Sequence, residues 1–186
     1  MLHEVINPWK IIDSKKVYSS PWIKVTEHQV LNPAKKPGMY SVVHFKNLAI
    51  GILPLDHNMN TWIVGQYRFP LEKYSWEIPE GGGDLNVPAL ESAKRELSEE
   101  AGISASKWTQ IQEFDTSNSS TDEKAIIFLA QDLSFHEAHP DEDEELVLKK
   151  IPFSELFDLA MKGEISDSLT LMAIFKTKIL LDQNKL

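Results

Sequence analysis

The sequence contains no cysteine, which excludes disulfides and thiolate chemistry alike. No apolar stretch approaches membrane-spanning length. The opening residues, MLHEVINPWK, lack a basic region followed by an apolar run, so no signal peptide is expected. Together these absences lead to the expectation of a cytoplasmic protein with no membrane partner. Positive charge is also scarce. Nineteen Lys and Arg stand against 28 Asp and Glu, for a net charge of −9. Binding nucleic acid over a broad surface needs a basic footprint, so that function is disfavoured. A small anionic substrate remains within reach, provided metal ions and a few placed arginines offset the repulsion. Internal repeats and low-complexity segments are absent too. The 186 residues, 42% of them hydrophobic, suffice for one well-packed domain with a small appendage.

Residues 1 to 47 read as short strands. Lys16–Tyr18, Trp22–Val30 and Tyr40–Phe45 carry β-branched and aromatic alternation, and Asn32-Pro33 and Lys36-Pro37-Gly38 are turn signals. Such a meander is marginal alone and needs something to pack on. Leu48–Leu55 reads as a buried strand, Asp56–Asn60 as a hairpin loop and Trp62–Arg68 as the return strand. Trp108–Phe114, Lys124–Ala130 and Leu146–Ile151 are further strands. Phe153–Lys162 is helical in period with Gly163 as its stop, and Ser166-Asp167-Ser168 caps a last helix from Leu169. The order argues for an α+β fold, a layered α/β/α domain with mixed sheets, preceded by an antiparallel meander. The expected domains are 1–47 and 48–186.

The stretch Gly81–Ile103, GGGDLNVPALESAKRELSEEAGI, organises the rest. It reads as a glycine loop leading into a helix, with Asn86 as cap and Pro88 in the first turn. Leu90, Ala93, Leu97 and Ala101 form one apolar stripe, and Gly102 is placed to end the helix in a left-handed conformation. Glu96, Glu99 and Glu100 stand at i, i+3 and i+4, so their carboxylates share one side. Like charges this close need either solvent or divalent cations in front of them, and magnesium takes carboxylates together with waters and phosphates. Arg95 can tether one carboxylate. The residues alone leave a solvated acidic face and a metal site both open.

The whole pattern narrows that choice. Gly81 followed by Arg95-Glu96-Leu97-Ser98-Glu99-Glu100-Ala101-Gly102-Ile103 resembles the Nudix box, Gly-x5-Glu-x7-Arg-Glu-aliphatic-x-Glu-Glu-x-Gly-aliphatic. Every specified position matches except the first glutamate, where this chain has Val87. GQYRFP (65–70), WEIPEGG (76–82) and MKGEISDSLTLMAI (161–174) extend the resemblance to the ADP-ribose and nucleoside diphosphate sugar pyrophosphatase branch of the Nudix hydrolases.

The resemblance implies an α/β/α Nudix core behind an N-terminal meander that exchanges across a homodimer. It also implies Mg²⁺-dependent hydrolysis of a pyrophosphate, with Mn²⁺ as a substitute ion. Glu96, Glu99 and Glu100 match metal ligands, and the backbone carbonyl of Glu80 matches another metal contact, with Gly81 and Gly82 beside it as substrate-binding positions. Glu142 and Glu144 match the loop position that supplies a base or an extra ligand, Glu144 being the first choice. Glu99 is shared between metal and catalytic roles. Arg68 matches a substrate-contacting arginine, and Trp22 and Tyr40 match positions that stack the nucleobase. The branch specialised for ADP-ribose tends to carry a proline in the loop after the box. Here that loop reads Thr116-Ser117-Asn118-Ser119-Ser120, which implies a wider range including ADP-glucose and GDP-mannose. The alternative is a Nudix-fold module that binds a nucleotide sugar without cleaving it, for which Val87 is the motive.

Overall fold

The computed structural model describes residues 6–140 and 145–186. The chain divides into two compact units, Met1–Asn47 with Asp115–Glu123, and Leu48–Phe114 with Lys124–Leu186.

The first unit is a three-stranded antiparallel sheet in the order β1 (Lys10–Ser19), β2 (Ile23–Leu31), β3 (Pro37–Phe45). Segment 115–123 joins it through backbone bonds from Val43 N to the Ser120 carbonyl (2.9 Å) and from Asp122 N to the Val43 carbonyl (3.3 Å). The Asp122 carboxylate accepts from Phe45 N at 3.0 Å and pairs with His44 Nδ1 at 2.5 Å. Burial pushes the Asp122 carboxyl up, but the His44 and Phe45 bonds outweigh it and hold the group below the usual carboxylate range.

The second unit contains β4 (Asn47–Pro54), β5 (Asn60–Arg68), β6 (Lys73–Glu77), β7 (Glu80–Asp84), α1 (Ala89–Ala101), β8 (Ile103–Asp115), β9 (Lys124–Phe135), β10 (Val147–Pro152), α2 (Phe153–Met161) and α3 (Ser168–Asp182). One sheet runs β7-β4-β9-β8, with β4 and β9 parallel, and another runs β10-β5-β6, antiparallel throughout. Parallel and antiparallel pairing thus both occur in this unit, as the expected mixed architecture requires. The apolar run of β4 is buried on both faces, which is why it shows no alternation in sequence. Ile50 and Ile52 face α1, where they meet Ala93, Leu97, Phe128 and Ala130. Leu53 and Leu55 join Ile127, Leu129, Leu156 and Ile174 on the other side, beneath α2 and α3. Fully burying one such aliphatic side chain stabilises by about 1.5–3 kcal/mol.

Strand β6 was not foreseen, because KYSWE carries a lysine, a serine and a glutamate. Ser75 and Glu77 both point into buried space.

Candidate active site

Two expectations about the entry to α1 are corrected. Gly81–Gly83 do not form a loop; they lie within β7. Glycine is required at two of these positions because α1 crowds Gly81 and β4 crowds Gly83. A Cβ at Gly81 would stand 2.2 Å from Glu96 Cδ, and one at Gly83 would stand 2.9 Å from Ile50 Cγ1. Asn86 does not cap the helix either. Its backbone and side-chain nitrogens both donate to Asp84 Oδ1, at 2.7 and 3.0 Å, and Pro88 occupies the cap position without a side-chain bond. The Asp84 carboxylate captures the local donors in a turn before the helix begins. At the other end Gly102 is left-handed (φ 61°), as expected.

Of the three box carboxylates, Glu96 and Glu100 are buried, at 7% and 3% exposure, whereas Glu99 is half-buried. Glu80 N donates to Glu100 Oε2 at 2.9 Å. Arg95 straddles the group. Its Nη1 donates to Glu99 Oε2 at 2.6 Å, and its Nη2 donates to the Gly82 carbonyl at 3.0 Å and to Glu96 Oε1. Partial burial pulls the Arg95 guanidinium down, but Glu96 and Glu99 outweigh it and hold it above its ordinary value.

A second carboxylate group stands on the other side of Glu80. Arg68, at the end of β5, donates from Nη2 to Glu77 Oε2 (2.6 Å) and Glu80 Oε1 (2.7 Å), and from Nε to Glu77 at 3.0–3.1 Å. None of these bonds uses Nη1. Asp167 caps α3 by accepting from Thr170 N at 2.7 Å, and Thr170 Oγ1 accepts from Ile78 N at 3.0 Å. Glu77, Glu80 and Asp167 each place one oxygen within 4.8 Å of the others. Burial raises the Glu80 carboxyl well above the carboxylate range, and the charges of Asp167 and Glu77 raise it further against the opposing pull of Arg68. Burial lowers the Arg68 guanidinium, but Glu77 and Glu80 more than reverse this.

Glu80 thus bridges the two groups, its amide on Glu100 and its side chain on Arg68. Six carboxylates (Glu77, Glu80, Glu96, Glu99, Glu100, Asp167) face two guanidiniums, Arg68 and Arg95. The donor set fits a hard divalent cation. It is all carboxylate and partly desolvated, it holds the buried Glu80 Oε2, which accepts no hydrogen bond from the described residues, and it lies where glycine brings backbone against Glu96.

Sequence reasoning did not single out Glu77 or Asp167. Glu77 shares a sheet face with Arg68 by the β5–β6 register, and a charged residue at an inward strand position requires a buried partner. Asp167 is the cap that the sequence predicts, but its second neighbour, Glu80, is distant in sequence. Glu142 and Glu144 lie outside the described residues. Glu145, described, borders a cavity of about 450 Å³ with Gln66, Tyr67, Tyr74 and Val147.

In the first unit Trp22 and Tyr40 are not brought together. Tyr40 pairs across the strands with His28, while Trp22 precedes Ile23, the partner of Phe45 at the far end of the sheet. The neighbour of Tyr40 is Trp9, edge-on with ring centroids 5.4 Å apart, beside an apolar cavity of about 280 Å³. The Tyr40 hydroxyl donates to the Ser119 carbonyl. Trp9 is 40% exposed.

Comparison with known proteins agrees with the fold. The family model described as the NUDIX domain matches residues 46–171. That of the nucleoside diphosphate sugar hydrolase N-terminal domain matches residues 9–43. An ADP-ribose pyrophosphatase of Bacillus subtilis (strain 168) is 31% identical over 167 residues, covering 89% of this chain and 90% of that protein. An ADP-ribose pyrophosphatase of Mycobacterium tuberculosis (strain ATCC 25618 / H37Rv) is 29% identical over 171 residues, covering 89% and 81%. The crystal structure of an ADP compounds hydrolase superposes with a TM-score of 0.85 at 22% identity, covering 99% of this chain and 100% of that one.

Proposed function

This chain belongs to the Nudix family of hydrolases, and from that premise we propose that it is a Mg²⁺-dependent nucleoside diphosphate sugar pyrophosphatase. Its substrates are of the ADP-ribose, ADP-glucose and GDP-mannose type, and its products are a nucleoside monophosphate and a sugar phosphate. The observation that carries this reading is the desolvated carboxylate set on α1, closed against a glycine strand and linked through Glu80 to Arg68. The names of the relatives favour ADP-ribose among the candidates.

Glu96, Glu99, Glu100 and the Glu80 carbonyl would hold the cation. A bound divalent ion offsets the charge of a diphosphate and lowers the pKa of an attacking water. The remaining work falls to the chain's own residues. Water oxygen adds to one phosphorus, the bridging P–O bond breaks, and one water proton passes to a carboxylate. Glu144 is the first choice for that acceptor and Glu142 the second. Arg95 keeps Glu96 and Glu99 from swinging apart. Arg68 presents Nη1 to a phosphate while Glu77 and Glu80 fix its plane, a geometry suited to an anionic oxygen. In the N-terminal unit Tyr40 supplies a stacking face, with Trp9 beside it. Trp22, 69% exposed, serves as a second face at the other end of the meander.

The meander also exposes Ile11, Ile12, Val17 and Tyr18. A three-stranded sheet with that much apolar surface is covered by a second copy, in a domain-swapped homodimer. Light scattering at micromolar concentration tests this, and a monomeric mass contradicts it. We place the protein in the cytoplasm and expect neither nucleic acid nor membrane as partner; among the described residues no helix is long and apolar enough to cross a membrane.

The deciding experiment is a coupled phosphate-release assay over ADP-ribose, ADP-glucose, GDP-mannose, UDP-glucose, diadenosine polyphosphates and a nucleoside triphosphate, with Mg²⁺ and with chelator. Metal-dependent cleavage of nucleotide sugars that is lost in Glu100→Gln supports the reading. A nucleotide sugar that raises the melting temperature without being cleaved makes the chain a binding module instead.

A further inference from the structure

Beyond Phe135 the chain turns back across the end of α1. His136 N donates to the Gly102 carbonyl at 2.8 Å and His139 N to the Glu99 carbonyl at 2.9 Å. A helix leaves its last carbonyls without intrahelical partners, and residues 136–139 supply two of them from outside. Gly102 admits this strap. A Cβ there would stand 2.4 Å from the His136 carbonyl oxygen and 2.9 Å from Ala138 N, both backbone atoms that cannot swing aside.

The imidazole of His136 joins three pieces of chain. Nδ1 lies 2.9 Å from the Glu137 carbonyl, Nε2 lies 3.1 Å from Ser104 Oγ at the start of β8, and Ser98 Oγ on α1 is 3.4 Å away. With its proton on Nδ1, the neutral ring donates to Glu137 and accepts from Ser104. His136 is exposed, so apolar burial does not explain this arrangement. The turn it secures carries Glu99 and Glu100. That turn is held from the sheet side by the Glu80 N–Glu100 bond and from within by Arg95, and the strap closes the remaining side.

We propose that His136 is a positioning residue for the carboxylate site, pinning strap 136–139 to the last turn of α1 so that Glu99 and Glu100 hold their orientation toward a divalent cation. The proposal rests on the hydrolase reading for its consequence in turnover, but not for its consequence in cation binding.

The test compares wild type, His136→Ala, His136→Gln and Ser104→Ala. Mn²⁺ binding is followed by loss of the free-ion electron paramagnetic resonance signal, and ADP-ribose hydrolysis is followed against Mg²⁺ concentration. Outer partners of metal ligands change affinity by about 10–100-fold, so His136→Ala is expected to weaken Mn²⁺ binding by about 10-fold. It should raise the half-saturating Mg²⁺ by a similar factor while the KM for ADP-ribose at saturating Mg²⁺ stays within about two-fold of wild type. His136→Gln keeps an acceptor within reach of Ser104 and should recover most of the loss, and Ser104→Ala should show part of it. Unchanged Mn²⁺ affinity in a folded His136→Ala overturns the proposal. Should that variant not fold, a Ser104→Ala protein with wild-type affinity overturns it equally. Wild type that binds Mn²⁺ but cleaves nothing refutes the hydrolase reading and leaves His136 to be judged on binding alone.

Discussion

Glu80→Gln is expected to stabilise the metal-free protein at neutral and alkaline pH. Ionised Glu80 would face Glu77 and Asp167, with one oxygen of each within 4.8 Å of the others. At that distance and an effective dielectric of about 20, each pair of unit charges repels by roughly 3 kcal/mol. Arg68, 2.7 Å away, returns about 6 kcal/mol on the same scale and is already shared with Glu77. The desolvation cost, together with two repulsions that roughly cancel the one attraction, therefore raises the folded-state pKa. A carboxyl raised on folding costs no stability below its unfolded pKa of about 4.3, and the cost grows with pH until the folded pKa is passed. Glutamine keeps the shape and an acceptor for Arg68 but cannot ionise. In chelator the variant should match wild type near about pH 4 and exceed it by about 1–3 kcal/mol at about pH 8. In a chain of this length that is roughly 2–4 °C of Tm per kcal/mol. Thermal unfolding from pH 4 to 8 reads the difference directly. A variant that is no more stable than wild type at pH 8, or a difference that does not change with pH, would refute the reasoning.

Three further outcomes follow from the geometry. Gly81→Ala drives a methyl group into the Glu96 carboxyl, so metal-dependent turnover should fall sharply while stability drops by only about 1–3 kcal/mol, measurable by comparing kcat with urea unfolding. Leu97, fully buried between α1 and β4, should cost about 2–5 kcal/mol on truncation to alanine, with the chelator-treated protein affected equally. The Asp122 carboxyl is held low by His44 and the Phe45 amide, so its contribution is present above the unfolded pKa and is lost as pH falls through the lower folded value. Asp122→Asn should therefore loosen segment 115–123 at pH 7 but bring little change at about pH 3, read by hydrogen exchange at Val43 and Asp122.

Much of this protein is legible without coordinates, because it depends on local rules. The apolar stripe of α1, the left-handed Gly102, the Asp167 cap and the doubly buried β4 each follow from period, side-chain chemistry or backbone freedom within a few residues. Glu96, Glu99 and Glu100 share a helix side because helical spacing requires it. Other features belong to the tertiary structure alone. Three glycines in a row predict a loop by composition, yet they lie in β7, where Gly81 faces Glu96 of α1 and Gly83 faces Ile50 of β4 too closely for a Cβ, neighbours that only the tertiary structure supplies. Asn86 lost its role as cap to a competing carboxylate two residues away. Glu77 and Asp167 reach Glu80 only once β6 has paired with β5 and α3 has docked through Thr170. Sequence spacing carries the charges of one element; which charges meet across elements, and how far burial shifts their protons, is decided only when the sheets and helices close.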